Sequence, residues 1–164
     1  MQPTSTPAPA TGGASARPAA APHRGRSAAI ARAADDRFVE LLKAYRVSGG
    51  LARADEVVAQ LDRDGHAGVA LLARRIVERR VICFEWQAQT WLPWFQFRRD
   101  DHVLEPAVAA VLAELAAVYD GWEIADWFAR PNSALDGFAP VDALACGAGA
   151  VLQAARADRF VATG

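Results

Sequence analysis

Hydrophobic residues recur at helical spacing over most of the chain after residue 27. Such spacing places the apolar side chains on one face of a helix, which then packs on a core. Prolines at the first turn and glycines after the last turn are typical helix boundaries and delimit several segments. The pattern predicts helices over residues 36–47, 51–61, 67–80, 106–119, 122–129, 140–145 and 148–160.

The spacing changes between residues 81 and 97, where β-branched and aromatic residues dominate. This composition predicts a β-hairpin of strands 81–86 and 91–97 joined by a four-residue loop. Pro93 cannot donate a backbone hydrogen bond, so we expect the second strand at a sheet edge or a bulge. Apolar side chains stand at both odd and even positions of this strand, so either both faces are covered or one binds a partner.

Residues 1–27 are rich in Pro, Ala, Ser, Thr and Gly, with three arginines and no acidic or aromatic residue. We expect a disordered tail, because the segment has too little apolar bulk to offset the entropy of ordering. Residues 28–104 then form a three-helix region with the hairpin, and residues 105–164 a helical domain. The expected fold class is mainly α, with one antiparallel β-hairpin and a disordered N-terminal tail.

The chain shows no long apolar run of membrane-spanning length and no apolar segment typical of a secretory signal, so we expect a cytoplasmic protein with no membrane partner. Residues 35–80 carry nine basic and eight acidic side chains, whereas residues 105–164 carry three basic and eight acidic ones. The acidic C-terminal third disfavours nucleic-acid binding there and suits a basic protein partner, although a solvated helix face also explains it.

A helix stop, a turn and a helix restart follow one another in the C-terminal third. Proline ends a helix or opens one, and glycine permits the positive φ of a turn. The residues with this spacing are Trp127, Pro131, Asn132, Leu135, Gly137, Pro140 and Leu144. Their pattern resembles the toxin-binding domain of the Xre/MbcA/ParS class of bacterial antitoxins, over residues 105–160.

The resemblance implies an antitoxin-like protein that binds a cognate toxin, blocks its active site sterically and does no chemistry itself. In this class the toxin is often a RES-domain enzyme that consumes NAD. The motif residues would hold the shape of the domain, and contact with the toxin would fall near the C-terminus. The candidate partner-binding residues are Arg156, Asp158, Arg159 and Phe160. DNA and a second copy of the chain stay open as further partners.

Two alternatives from other classes remain. A DNA-binding regulator would use helices 36–80, with the break at Ser48 to Gly50 as the turn of a helix-turn-helix and 51–61 as its second helix. Separately, the arginines of residues 74–80 could bind a phosphate or a carboxylate of a partner, or they could interact with the exposed carbonyl groups at the C-terminus of their helix. A small-molecule-binding module would instead use the aromatic cluster, since eleven of fourteen aromatic residues lie between positions 84 and 138.

Enzymatic interpretations find little support in the sequence. No histidine has a second ligand at metal spacing, and no nucleophile elbow or phosphate-binding loop occurs, so no catalytic residue, metal or cofactor is expected. Asp120, Glu123 and Asp126 are expected on the exposed face of their helix. Cys83 and Cys146 are expected to be buried free thiols.

Overall fold

A computed structural model describes residues 23–164, with side chains described from residue 28 onward. Within that part, the chain is mainly helical with a small antiparallel sheet, which confirms the expected fold class. The helices are α1 His23–Tyr45, α2 Ala54–Arg63, α3 Gly68–Val77, α4 Pro106–Leu115, α5 Gly121–Ala129 and α6 Pro140–Thr163. The strands are β1 Leu51–Arg53, β2 Phe84–Trp86 and β3 Gln89–Pro93, and 3-10 turns occupy Trp94–Gln96 and Ser133–Leu135.

Helix α1 begins at His23 rather than at residue 36. Residues 28–35 are mostly alanine, which favours a helix by propensity alone, but they lack the apolar stripe that marked the rest of the helix. The disordered tail was predicted over residues 1–27; residues 1–22 lie outside the described residues, and residues 23–27 belong to α1.

Residues 51–53 form strand β1, so the prediction of a helix beginning at residue 51 is wrong. Ala52 lies opposite Leu92 of β3, and both side chains are buried. Helix α2 begins only after this strand, at Ala54. The turn at Ser48 to Gly50 therefore leads into a strand, and the predicted helix-turn-helix with 51–61 as its second helix does not form.

The sheet has the strand order β1-β3-β2, with β3 in the centre. Pro93 is the last residue of this central strand, which corrects its predicted place at an edge or bulge. Only Gln87 and Ala88 separate β2 from β3, so the predicted four-residue loop is a two-residue turn. Both residues have a positive φ, as a type I′ hairpin turn requires, without the glycine that usually marks it.

Both faces of the sheet are covered, which is the first of the two arrangements that the sequence left open. The main core joins α1, α4, α5 and α6 with side chains such as Phe84 and Trp91. A second core joins α2 and α3 with Leu92 on the other face. Trp86 stacks on Phe38 of α1 with ring centroids 3.8 Å apart. Much of the aromatic cluster therefore holds the sheet against the helices.

Gln96 is a fully buried polar residue in the 3-10 turn after β3. Its side-chain oxygen accepts a hydrogen bond from the Ile82 N–H at 2.8 Å, and its amide nitrogen donates to the Ile82 carbonyl at 3.0 Å. The same nitrogen donates to the Pro93 carbonyl at 3.0 Å. The side chain thus replaces a strand as the hydrogen-bond partner of Ile82, whose buried backbone groups would otherwise be costly.

We expect Gln96→Leu to lower the free energy of unfolding by roughly 2–4 kcal/mol, because a side chain of similar volume leaves the Ile82 groups without partners. Urea denaturation followed by circular dichroism measures this change. Gln153→Leu, at an exposed position of α6, is the control and should change stability by less than about 0.5 kcal/mol. Equal effects of the two substitutions would contradict the assigned role of Gln96.

The start of α5 is fixed by a capping box and a close backbone contact. Asp120 Oδ1 accepts from the Glu123 N–H at 2.8 Å, and Glu123 accepts from the Asp120 N–H at 2.7 Å. Gly121 lies so close to the backbone of residue 83 that an added Cβ would stand 1.9 Å from the Cys83 carbonyl oxygen. Only glycine allows α5 to begin at this distance from the segment that precedes β2.

Gly121→Ala should therefore destabilise the protein by about 2 kcal/mol or more, because the backbone must move to relieve the contact. Gly149→Ala is the matched control, since nothing lies within 4 Å of its Cβ position in α6. There alanine should stabilise the helix by about 0.5–1 kcal/mol. Thermal unfolding of both variants tests whether the first lowers and the second raises the melting temperature. A higher melting temperature of Gly121→Ala would contradict the close approach of residue 121 to the backbone of residue 83.

Candidate partner-binding site

The corner between α5 and α6 is ordered by local hydrogen bonds. Asn132 Oδ1 accepts a hydrogen bond from the Ala134 N–H at 2.9 Å. The Asn132 N–H donates to the Phe138 carbonyl at 3.0 Å, which closes the turn. Gly137 has a φ of 83°, in the left-handed region that glycine tolerates best. The predicted proline-glycine turn is confirmed.

Helix α6 begins at Pro140 and continues to Thr163, with one interruption at Gly147. Gly147 has non-helical dihedral angles, φ −160° and ψ 55°. The predicted boundary between helices 140–145 and 148–160 coincides with this interruption, although the two parts follow each other directly. Leu135 and Pro140 are buried, and Leu144 packs against the main core. These three motif residues hold the corner on the rest of the fold.

Asp158 of α6 ties the far end of that helix to the motif. Its Oδ2 accepts a hydrogen bond from Trp127 Nε1 at 2.6 Å and from Asn132 Nδ2 at 3.3 Å. Trp127 and Asn132 thus contribute polar groups as well as shape. Sequence reasoning placed Asp158 among the partner contacts and did not connect it with the motif, because the residues are far apart in the chain.

These residues line an open cleft of about 390 Å³, which we call the motif cleft. Its walls include Tyr119, Glu123, Trp127, Pro131, Asn132 and Asp158. Asp126, on the same helix, binds Arg37 of α1 at 2.7 Å and Arg130 at 3.0 Å. Its side chain is only 14% exposed, which corrects the expectation that it lies on the exposed face of α5.

Asp126 also affects Tyr45, which is buried beneath α5. The Tyr45 hydroxyl donates to the Ala125 carbonyl. Burial raises the pKa of Tyr45 well above its ordinary value, and the nearby Asp126 carboxylate raises it further. The neutral hydroxyl is therefore the form that joins α1 to α5.

Arg156 and Arg159 both bind Glu114 of α4. Arg156 Nε lies 3.0 Å from Glu114 Oε1, and Arg159 Nη1 lies 2.5 Å from Oε2. Glu114 is mostly buried, whereas about half of each arginine side chain stays exposed. The two arginines hold α6 on α4 and keep part of each guanidinium open to solvent.

Phe160 and Val161 form an exposed apolar pair at the end of α6, which we call the terminal patch. Their exposed fractions are 76% and 78%. The other three candidate partner-binding residues bond side chains of α4 or of the motif, whereas the Phe160 side chain is left exposed. Phe160 is thus a large aromatic side chain that lies exposed near the end of α6.

The two cysteines differ in their exposure to solvent. Cys146 is exposed, which corrects its predicted burial, and Cys83 is partly buried. Burial, with a smaller effect of Glu85, raises the pKa of the Cys83 thiol, so the reactive thiolate is disfavoured. Among the side chains described, those of residues 28–164, no group of three or more His, Cys, Asp or Glu is placed to hold a metal ion.

No single helix of the described part is long and apolar enough to cross a membrane; one bent pair, Gly121–Leu135 with Pro140–Thr163, meets that limit only when both parts are counted together. Comparison of the chain with protein-family models, with curated proteins and with solved structures finds no significant match. The site is therefore interpreted from its own geometry.

Replacement of Asp158 tests whether it holds the motif together. Asp158→Ala leaves the Trp127 and Asn132 donors without their acceptor, so we expect the free energy of unfolding to fall by about 1–3 kcal/mol. Trp127 fluorescence should change as well. Asp100→Ala, in an exposed loop, is the control and should change neither quantity. If Asp158→Ala behaves like Asp100→Ala, the hydrogen bonds across the cleft do not support the fold.

Proposed function

We propose that this chain is an antitoxin-like protein, which binds a cognate protein toxin and blocks its active site by occupying the entrance. The partner we propose is a RES-domain enzyme that consumes NAD. The chain contributes a shaped surface and no catalytic group. The resemblance of residues 105–160 to the Xre/MbcA/ParS toxin-binding domain motivates this proposal.

The observation that carries the proposal is the position of the terminal patch on a firmly held helix. Asp158 fixes α6 to Trp127 and Asn132, only two residues before Phe160. Arg156 and Arg159 fix the same turn to Glu114. Because this turn of α6 is already held in place, binding would cost little conformational entropy there.

Steric inhibition needs enough contact area to offset the loss of translational and rotational freedom. A stable protein interface buries about 1,200–2,000 Å² in total, which the terminal patch alone does not supply. We therefore place the patch at the centre of a larger contact that includes the half-exposed guanidinium groups of Arg156 and Arg159. Such an anchor surrounded by polar groups is the usual composition of an interface.

The test first asks whether the gene next to that for this chain encodes a RES-domain enzyme, and then titrates the NAD consumption of that enzyme with the purified full-length chain. We expect one-to-one inhibition and loss of NAD binding to the inhibited enzyme. Phe160→Asp should weaken inhibition at least tenfold, or about 1.4 kcal/mol, because a charge would be buried at the anchor. Val47→Asp, at another exposed apolar position, is the matched control and should inhibit like the unaltered chain.

Three results would overturn the proposal. The first is NAD turnover by the purified chain itself. The second is unchanged inhibition by a chain that carries both Phe160→Asp and Val161→Asp. The third is full enzyme activity in the presence of excess chain, with no complex seen by size-exclusion chromatography.

A further inference from the structure

A second surface lies away from the motif cleft, between the end of α3 and the outer side of α4. It is a groove of about 590 Å³. One wall carries Arg79 and Arg80, and Leu104 lies in its lining. The other wall is a row of small side chains, Ala109 and Ala113 of α4 and Ala116, the residue that follows its last turn. We call this surface the basic groove.

The alanine row leaves room for side chains from outside. Residues 109, 113 and 116 are spaced by four and three, so they lie on one face of α4. The opposite face of α4 carries Val108, Val111 and Leu115, which are buried in the main core. Ala116 also packs against the main core, whereas Ala113 is exposed, and the small size of all three side chains leaves room for another chain to approach α4 closely.

Glu78 also lines the groove, but three arginines, Arg74, Arg79 and Arg80, stand beside its one carboxylate, so the charge here is positive in sum. Arg74 and Arg80 share the single carboxylate of Glu78, at 2.8 and 3.4 Å. The Arg79 guanidinium donates to the Tyr119 carbonyl at 2.6 Å. Among the side chains that the structure describes, no carboxylate lies within 4.0 Å of Arg79. A partner with carboxylates would supply the charges that the chain itself does not.

Arg79 also has an unusual backbone conformation. Its φ is 54°, and it ends α3 in a Schellman motif, in which the Arg80 N–H donates to the Arg75 carbonyl at 2.8 Å. Glycine is the usual residue at this position, because a side chain there costs free energy. From this position the Arg79 side chain reaches the Tyr119 carbonyl, and that hydrogen bond holds its guanidinium beside the groove.

We propose that the basic groove binds an acidic amphipathic helix of a protein partner. The apolar face of that helix would lie on Ala109, Ala113 and Ala116, and its carboxylates would pair with Arg79 and Arg80. Helix-in-groove recognition combines these two features, an apolar floor and a charged rim. The surface is separate from the terminal patch, so the inference does not depend on toxin binding.

Charge complementarity favours this occupant over a nucleic acid. Helix α4 carries no basic residue, and Glu105 and Asp120 stand before and after it. A duplex carries phosphates on both strands, so those on the α4 side would meet these negative charges, whereas an amphipathic helix can turn its apolar face to α4 and keep its carboxylates over Arg79 and Arg80. The apolar floor would also gain nothing from contact with a phosphate backbone, whereas it removes the leucine side chains of a helix from water.

The test uses the full chain and a labelled synthetic helical peptide of Glu, Leu and Ala with its leucines on one face. Fluorescence anisotropy should show saturable binding. Ala113→Glu places a charge and extra bulk on the groove floor and should weaken binding at least tenfold. Ala110→Glu is the matched control, because position 110 is exposed on the same helix outside the groove lining.

A second variant separates binding from folding. Arg79→Gly relieves the unfavourable φ, so we expect the melting temperature to hold or rise while peptide affinity falls at least threefold. Phe160→Asp, which alters the terminal patch, should leave peptide binding unchanged.

The proposal is overturned if the peptide shows no saturable binding, or if a scrambled peptide of the same composition binds equally well. It is also overturned if Ala113→Glu has no effect on affinity. Displacement of the peptide by random-sequence duplex DNA, with equal affinity for the Ala113→Glu variant, would identify the surface as a phosphate-binding one instead.

Discussion

Burial of the central strand β3 on both faces is the constraint on which the rest of the structure depends. Trp91 faces the main core, and its neighbour Leu92 faces the second core. Water cannot reach a strand that is buried on both sides, so the backbone N–H and C=O groups around it need hydrogen-bond partners within the protein, even where strand pairing has ended. Gln96 meets this need for Ile82, so one side chain lets both cores close around the same strand.

The main core also determines how the C-terminal unit is presented. It combines Phe38 and Leu41 of α1 with Val108, Ile124 and Val151 from the C-terminal third. Residues 28–104 and 105–164 therefore share a core. The ion pair between Arg37 of α1 and Asp126 also joins α1 to α5 beside the motif cleft. The orientation of α6 therefore depends on α1, at the other end of the chain.

The sequence predicted the elements whose signals are local. Helix α5, the corner and the start of α6 were found because Asp120, Pro131, Gly137 and Pro140 act on their immediate neighbours. Strand β1 was missed because its three residues continue the apolar spacing of α2, and only pairing with β3 makes them a strand. The start of α1 was missed because alanine propensity leaves no periodic signal.

The candidate site was predicted in part, for the same reason. The motif residues were identified from their spacing, but their bond with Asp158 was not, since it joins positions that are distant in sequence. The burial of Gln96 and Asp126 likewise depends on side chains from other elements. Polar residues in apolar stretches carry no mark that distinguishes a buried hydrogen-bond partner from a solvated side chain.

The β2–β3 turn has a consequence for the stability of the sheet. Gln87 and Ala88 both adopt a positive φ, which costs about 1 kcal/mol or more each, so the turn does not favour its own formation. An isolated hairpin with such a turn would be marginally stable at best in water. The packing of Trp86 and Trp91 on Phe38 therefore stabilises the closed hairpin, so the sheet depends on α1 for its stability.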